Sequence, residues 1–437
     1  MTSHRRQFLK TAAAGVGAAA TLGFPAVLRA QKTTKLRVAF MPFTIQQIWV
    51  DAMTEWGKQN GITIERAPIS YENYVKSISA QLLLEQPDLD ILWHNDDWGQ
   101  LIGPYLESLD EIPGIKRVSW KYAPAIAFDY GGHRKTIPFM ISSDKFFYRT
   151  DLVDKPPTSW AEMVDVSKRL MAEKKVKWGY VGGWRYLHSW YTLFWALWSN
   201  NGDIYLPVGE RDNKKLDANG WKSGVETKEH QEMMELWWDC IHTHKICPPA
   251  MVNYTRTDAQ PVFMNGDAAF YADSNLPWAD IKNPAKSKVA GRAVFAGHPV
   301  GPSAPFKRWT YGAAWGWAIP AKAPQGDKEA AKELFAWLLA NKTLMRDTWV
   351  KGASLPPVDD VWPELIKEDK EFADMFRGIS ENWHYVIPSY YFKTWLEAFS
   401  TYADFCTRAV QGSRTDIAKV MKELAPRLTE IGKSSMV

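Results

Sequence analysis

Between residues 36 and 107 the chain alternates strand and helix patterns three times in succession, and no other feature constrains the fold as strongly. Residues 36–41 alternate as a strand does. In 47–60, Ile48, Trp49, Ala52, Met53 and Trp56 recur at helical spacing, and Gly61 stands where a helix stops. Residues 62–66 give a second strand. Tyr74, Val75, Ile78 and Leu82 then share one helical face within 71–85, residues 89–93 give a third strand, and 98–107 a third helix. A β-α-β-α-β-α order implies a largely parallel sheet covered by helices, an α/β protein. Further on, 145–149, 268–272 and 311–320 read as strands. Thr158 or Ser159 caps a helix with Glu162 in its first turn. A helical region with Trp190, Trp195 and Trp198 closes at Asn200-Asn201-Gly202, and 228–244 and 326–340 are amphipathic helices. There is no internal repeat and no low-complexity linker.

The third strand ends in the most chemically suggestive stretch, Asp88-Leu-Asp-Ile-Leu-Trp-His-Asn-Asp-Asp-Trp-Gly99. Ligands of open α/β sheets sit at the carboxyl ends of strands, where loops present side chains from a rigid base. Aromatic faces beside carboxylate acceptors suit a ligand with apolar C–H faces and many hydroxyls, which describes a sugar. A polar loop flanked by two core tryptophans satisfies the same residues. The 23 tryptophans exceed what a core of this size needs. Tryptophan offers a broad stacking face and an N–H that seeks a partner.

The N-terminus sets the compartment. His4-Arg5-Arg6-Gln7-Phe8-Leu9-Lys10 precedes a mild Ala/Gly-rich run, and the whole resembles a twin-arginine export signal with His4 where Ser or Thr is usual. Pro25 breaks the run too early for a membrane span, and Leu28-Arg29-Ala30 offers a cleavage point before Gln31. This places the mature protein in a bacterial periplasm or outside the cell. The chain carries 53 Lys and Arg against 49 Asp and Glu, but Arg5, Arg6, Lys10 and Arg29 all lie in the signal, which has no acid. Removing them leaves the mature chain neutral, so nucleic-acid binding has no support. Three cysteines are too few for a disulfide scaffold. Cys240, His242, His244 and Cys247 lack a clear metal geometry, so no metal or cofactor is expected. A Cys240–Cys247 disulfide is favoured over metal but requires the chain to turn after His244.

Taken in order, several segments resemble the extracellular solute-binding proteins of ABC importers, the maltose-binding-protein-like group. They are Asn60-Gly61-Ile62-Thr63-Ile64, Pro87-Asp88-Leu89-Asp90-Ile91 with Trp93, Ile137-Pro138-Phe139 followed by Phe147-Tyr148-Arg149, and Pro156-Pro157-Thr158-Ser159-Trp160. The series continues with Asn265-Gly266-Asp267-Ala268-Ala269-Phe270, Trp315 to Pro320 with Glu329-Ala330-Ala331-Lys332, and Ser354-Leu355-Pro356-Pro357. The resemblance spans essentially the whole mature chain. It implies a two-lobe (type II) periplasmic-binding fold, each lobe a sheet flanked by helices, with the ligand held in the cleft between them. It also implies a monomer that delivers its solute to the permease subunits of an ABC transporter. Strand crossings are expected near 138–142, 271–275 and 314–317. The first lobe would combine 31–139 with 275–315 and the second 141–272 with 317–437.

Carried over by position, the resemblance implies ligand contacts at Trp93 and Asp96, with Asp97 beside them. Phe43, Thr44 and Tyr71 fall at the cleft edge, and Ser142 at the first crossing, where a relative carries a carboxylate. Asp273 falls at the second crossing, Trp315 and Gly316 at the third, and Trp184 and Trp395 on the second lobe. On this reading Trp93→Ala and Asp96→Ala each weaken binding at least tenfold without unfolding the lobes. Other readings stay open. The same fold could hold a polyol, a polyamine or another small solute, since Asp96, Asp97 and Asp273 suit amines and tryptophan suits cations. A secreted carbohydrate-active enzyme would also use tryptophans and a carboxylate pair. Adjacent Asp96 and Asp97 diverge, which is poor geometry for such a pair, so no catalytic residue is assigned.

Overall fold

A computed structural model describes residues 33–120, 122–123, 125–206, 222–304, 310–385 and 392–434. The expected export signal, 1–30, lies outside the described residues. The opening rhythm is present as β1 (Lys35–Phe40), α1 (Thr44–Asn60), β2 (Thr63–Pro68), α2 (Tyr71–Leu83) and β3 (Ile91–Asn95). Strand β1 lies between β2 and β3 and is parallel to both, with Lys35 opposite Thr63 and Val38 opposite Ile91. Helix α1 ends at Gly61, whose φ of 70° is costly for any residue with a Cβ.

The expected helix at 98–107 is broken into a 3-10 turn at Asp96–Trp98, a single helical turn at Gly99–Ile102 and a 3-10 turn at Gly103–Tyr105. Pro104 accounts for the last part of the break, since it has no N–H to carry the helical ladder onward. A Cβ at position 99 would lie 2.2 Å from the Ala127 carbonyl oxygen, so the chain runs close against a neighbouring segment here.

The remaining elements that build the site are β4 (Ile137–Arg149), α3 (Trp160–Ala172), β5 (Trp178–Gly182), α4 (Lys228–Trp238), α5 (Arg256–Met264) and β6 (Ala268–Ser274). After them come β7 (Ala293–Ala296), β8 (Thr310–Ala318), α6 (Gln325–Ala340), α7 (Lys342–Val350), α8 (Trp395–Gln411) and α9 (Ile417–Ser434). Ser159 caps α3 by accepting from the Glu162 amide at 3.2 Å. Helix α4 passes into a π turn at Asp239–Thr243, short of the expected end at 244.

Strand β4 joins the two halves of the molecule. All thirteen of its residues are buried, because helices or strands cover both faces along its length. Its first half is antiparallel to β8, from Trp317 opposite Ile137 to Gly312 opposite Ser143. Its second half is antiparallel to β6, with Ser274 opposite Asp144, and to β7, with Ala296 opposite Phe146. The partner changes between Ser143 and Asp144. Asn275 pins that point: its Oδ1 accepts from the Ser143 amide at 2.7 Å, its own amide donates to the Ser143 carbonyl at 3.0 Å, and its Nδ2 donates to the Ala353 carbonyl.

The apolar cores follow other bounds than those expected. One core takes Leu36 to Ile141, then Ala314 to Ile379; a second takes Phe146 to Ala272 with Phe392 to Leu428. Trp278, Ile281, Val289 and Ala293 pack with Phe147 and Phe263 on the second side. Strand β7 therefore goes with the far half of β4, although it was expected in the first lobe, while Leu276 and Phe295 of the same segment also pack against the first core. The stretch from 317 to 379 packs on the first, although it was expected in the second. Strand pairing is the reason: β7 bonds to the far half of β4, whereas β8 bonds to β3 as well as to the near half of β4. Near 275 the chain touches the junction and turns back. Ala313 belongs to the second core and Ala314 to the first, so that passage falls just before the expected 314–317.

Candidate ligand-binding site

Where β3 ends and β4 and β8 pass between the two halves, nine residues enclose a chamber: Tyr71, Asn95, Asp97, Ser142, Trp190, Tyr191, Ala313, Trp315 and Phe399. Each is placed by a rigid element. Asn95 ends β3, Asp97 sits in the following 3-10 turn, Tyr71 opens α2, and Ser142 lies one residue before β4 changes partners. From the second lobe, Trp190 and Tyr191 open a π-helical turn and Phe399 comes from α8. The chamber's free volume is about 30 Å³, room for roughly one water molecule. Five aromatic rings and the polar groups of Asn95, Asp97 and Ser142 therefore meet closely in this conformation. Tyr71 also reaches across to the second lobe, its ring 5.9 Å from that of His188 in an edge-on contact.

Four residues expected at the site thus line one chamber: Tyr71, Asp97, Ser142 and Trp315. Others stand behind it. Trp93 has no exposed surface and is ringed by Trp98 at 4.6 Å, Tyr74 at 4.7 Å and Trp315 at 5.0 Å. Trp93 is on the same face of β3 as Asn95 but one step deeper, and it backs two lining rings, Trp315 and Tyr71, the latter at 6.2 Å, without lining the chamber itself. Asp96 is fully buried, and its Oδ2 accepts from the Ala314 amide at 3.0 Å, tying the 3-10 turn to β8. Gly316 lies where a Cβ would strike Thr136 and the Ile137 carbonyl, a sheet-packing position. Trp184 and Trp395 belong to the second core. The Trp184 indole donates to Thr407 at 2.9 Å, and Trp395 backs two lining rings, stacked on Phe399 at 5.8 Å and edge-on to Trp190 at 6.0 Å.

Phe43 and Thr44 line a second, outer chamber of about 260 Å³, with Pro42, Ile45, Arg256, Thr257, Gln260, Leu276, Pro277, Asp280 and Gly352. Asp273 serves this wall indirectly. It is buried and grips Arg256 with both oxygens, at 2.9 Å to Nε and 2.5 Å to an Nη, and it also accepts from the Tyr271 hydroxyl. The Arg256 guanidinium lies over the Tyr191 ring, 4.7 Å from its centre. Burial pushes the Tyr191 phenol up to about 12, the Arg256 charge opposing, so the hydroxyl remains protonated at neutral pH.

Asn95, Trp190, Tyr191, Ala313 and Phe399 of the inner chamber, and Arg256 with most of the outer lining, are residues that sequence reasoning missed. Trp190 and Tyr191 were legible as part of an aromatic helical run, but which face looks toward the cleft depends on the π turn, which shifts the helical phase. The three cysteines are buried free thiols, although the chain does turn after His244, with the Ile246 amide donating to the Cys240 carbonyl at 2.9 Å. Among the described residues, no group of three or more His, Cys, Asp or Glu side chains could hold a metal, and no helix is long and apolar enough to cross a membrane.

Comparison with known proteins bears on the fold and the family. The structure superposes on T. maritima MalE3 with maltose bound with a TM-score of 0.74 at 21% identity, covering 89% of this chain and 98% of that one. It also superposes on an ABC transporter solute-binding protein from Agrobacterium radiobacter K84 in complex with ribitol, with a TM-score of 0.74 at 17% identity, covering 92% and 99%. Both likenesses establish the two-lobe fold with its central cleft. Residues 51–374, well over half of the chain, match the family described as bacterial extracellular solute-binding protein. The chain belongs to that family, which binds solutes and is not a family of enzymes.

Proposed function

We propose that this chain captures a neutral, hydroxyl-rich solute, a sugar or a polyol, outside the bacterial cytoplasm and hands it to the membrane permease of an ABC importer. The observation that carries this reading is the inner chamber. Five aromatic rings, two of them phenols, surround one carboxylate, one amide and one serine hydroxyl, and both lobes contribute. Aromatic faces suit the C–H faces of such a solute, and Asn95, Asp97 and Ser142 suit its hydroxyls. A polyamine would need several carboxylates. Asp273 is held by Arg256 and Asp96 by the Ala314 amide, which leaves Asp97 as the one carboxylate lining the chamber.

The magnitudes suffice. Two stacks contribute about 0.5–1.5 kcal/mol each and hydrogen bonds to a charged group about 1.5–3 kcal/mol each. Micromolar affinity requires about 8 kcal/mol, within reach once area burial is added and ordering costs are subtracted. A space of about 30 Å³ admits no sugar unless the lobes separate. Capture therefore couples to lobe closure, and the closed pair is what a permease can recognise. The resemblance of residues 1–30 to a twin-arginine signal supports export of the folded chain.

The test is a thermal-shift screen of the chain from Gln31 onward against sugars, polyols and polyamines, followed by calorimetry on the hits. A solute at a hundred times its Kd stabilises by about 2.7 kcal/mol. Saturable shifts with sugars or polyols are expected, and Asp97→Ala should lower affinity about tenfold or more with the fold intact. Shifts with amines alone, or none after ligand has been stripped by unfolding and refolding, would overturn the reading.

A further inference from the structure

Resting on the reading that capture couples to lobe closure, we infer that Lys145 is a charge brake on that closure. Its ammonium is buried between the lobes when they shut, and neutralising it favours the shut form. Lys145 follows Asp144, the residue at which β4 exchanges β8 for β6 and β7, so it stands on the strand that must flex when the lobes part. Its side chain crosses the junction. A Cβ built on Gly378, in the helix Lys370–Asn382, would lie 3.9 Å from Lys145 Nζ, and that helix packs on the first core through Phe372, Met375 and Ile379. On the second-lobe side, Nζ lies over the Phe295 ring of β7, 6.0 Å from its centre. Lys145 is 5% exposed and lines neither the inner nor the outer chamber.

A buried ammonium ordinarily has a carboxylate bonded to it. Among the described residues this one has no hydrogen-bond or ion-pair partner, because the charged groups on the elements around it are engaged elsewhere. Asp144, on the opposite face of β4, is paired with His298 at 2.6 Å. Asp273, opposite Lys145 on β6, is held by Arg256. On the first-lobe helix, Glu371 accepts from the Trp278 indole and from Lys282, both at 3.0 Å. Asp374 of that helix bonds Lys370 and lies 3.5 Å from Arg377. Arg377 itself adds a like charge beside Gly378, and β7 carries no charged residue.

Burial lowers the lysine from 10.5 to about 8, with the Asp144 charge opposing. When the lobes part, water enters between β4 and the helix, and the ordinary value returns. The sign follows from linkage. The shut form gives up the proton more readily, so below pH 8, where both forms carry the charge, shutting is hindered by a constant amount. As pH rises from 8 toward 10.5 the hindrance is relieved, by at most about tenfold in the closure constant per pH unit. A neutral solute adds no titration of its own, so the same pH dependence passes into its Kd.

The experiment is calorimetry on the chain from Gln31 onward, with maltose, ribitol and any other sugar or polyol that shifts its melting, at pH 7.5 and pH 9.5. The parent should bind about tenfold more tightly at the higher pH, and binding near pH 9 should release most of one proton, read from titrations in two buffers of different ionisation enthalpy. Lys145→Met should tighten binding at pH 7.5 at least tenfold and remove both the pH dependence and the proton release. Lys145→Arg keeps the charge at every pH and should bind weakly at both values. Should the methionine variant fold poorly, Gly378→Asp offers the ammonium a carboxylate from the first lobe and should likewise tighten binding at pH 7.5. A Lys145→Met protein that melts higher yet binds within twofold of the parent, or a parent with equal affinity at both pH values, would overturn the brake and leave the solute-binding reading standing. No binding of any sugar or polyol would overturn both.

Discussion

Trp93→Ala distinguishes a ligand contact from a support, and the structure gives the size of the effect. The ring is fully buried and meets Trp98, Tyr74 and Trp315 at 4.6–5.0 Å, all edge-on. Its backbone amide receives support from the same neighbours, since the Tyr74 hydroxyl accepts from it at 2.7 Å and donates to the Ala39 carbonyl at 2.9 Å. Truncation leaves a void bounded by stiff rings that are themselves packed, so little collapse is available. Losses for buried Trp→Ala are about 3–5 kcal/mol, and this site belongs at the upper end. Unfolding entropy of roughly 2 cal/mol/K per residue turns that into a fall in Tm of about 6–12 °C, depending on whether both lobes or one unfold together. Affinity should fall too, because Trp315 loses its backing, and Trp93→Phe should recover most of both losses. Chemical denaturation beside calorimetric titration is the assay. A Trp93→Ala protein within 1 kcal/mol of the parent in stability, yet tenfold weaker in binding, would refute the supporting role and return Trp93 to the ligand.

Three further outcomes follow from buried titratable groups. Burial lowers His94 and His230 from 6.5 to about 3, so the neutral-histidine stability present above pH 6.5 is lost as pH falls toward 3. Together they should remove up to about 2.7 kcal/mol per pH unit between roughly pH 6 and 4, read as a steep decline in Tm. His230→Gln keeps a partner for the Tyr402 hydroxyl, which lies 3.0 Å from Nε2, and should halve that slope; an unchanged slope would exclude His230 as a source. Asp90 acts oppositely. Burial, outweighing the bond from the Arg37 amide, raises it from 3.8 to about 6, so its contribution is full below pH 3.8 and lost as pH rises through 6. Asp90→Asn should therefore stabilise the protein by about 1–3 kcal/mol at pH 7.5 and leave it unchanged at pH 4; equal effects at both values would contradict this.

The opening β-α-β-α-β-α order and its parallel sheet were legible because helices and strands of ordinary length carry their own periodicity, and Gly61 ended α1 where a left-handed turn was needed. The strand-end position of Asn95, Asp96 and Asp97 was legible for the same reason. Local pattern could not say which of two adjacent aspartates faces the cleft. That depends on the 3-10 turn at Asp96–Trp98, and on the Ala314 amide, which lies 218 residues away in sequence and bonds to Asp96. The tryptophans were visible as a surplus but not as a distribution. Trp93, Trp184 and Trp395 went to the cores, while Trp190 and Trp315 reached the chamber. Lobe membership after residue 275 was likewise invisible, because a strand's sequence records that it pairs and not with which half of β4. Sequence by itself determined the family, the fold class and the stretch that ends at the cleft. The tertiary structure alone decided which side chains are left facing the solute, since burial belongs to neighbours brought together from far along the chain.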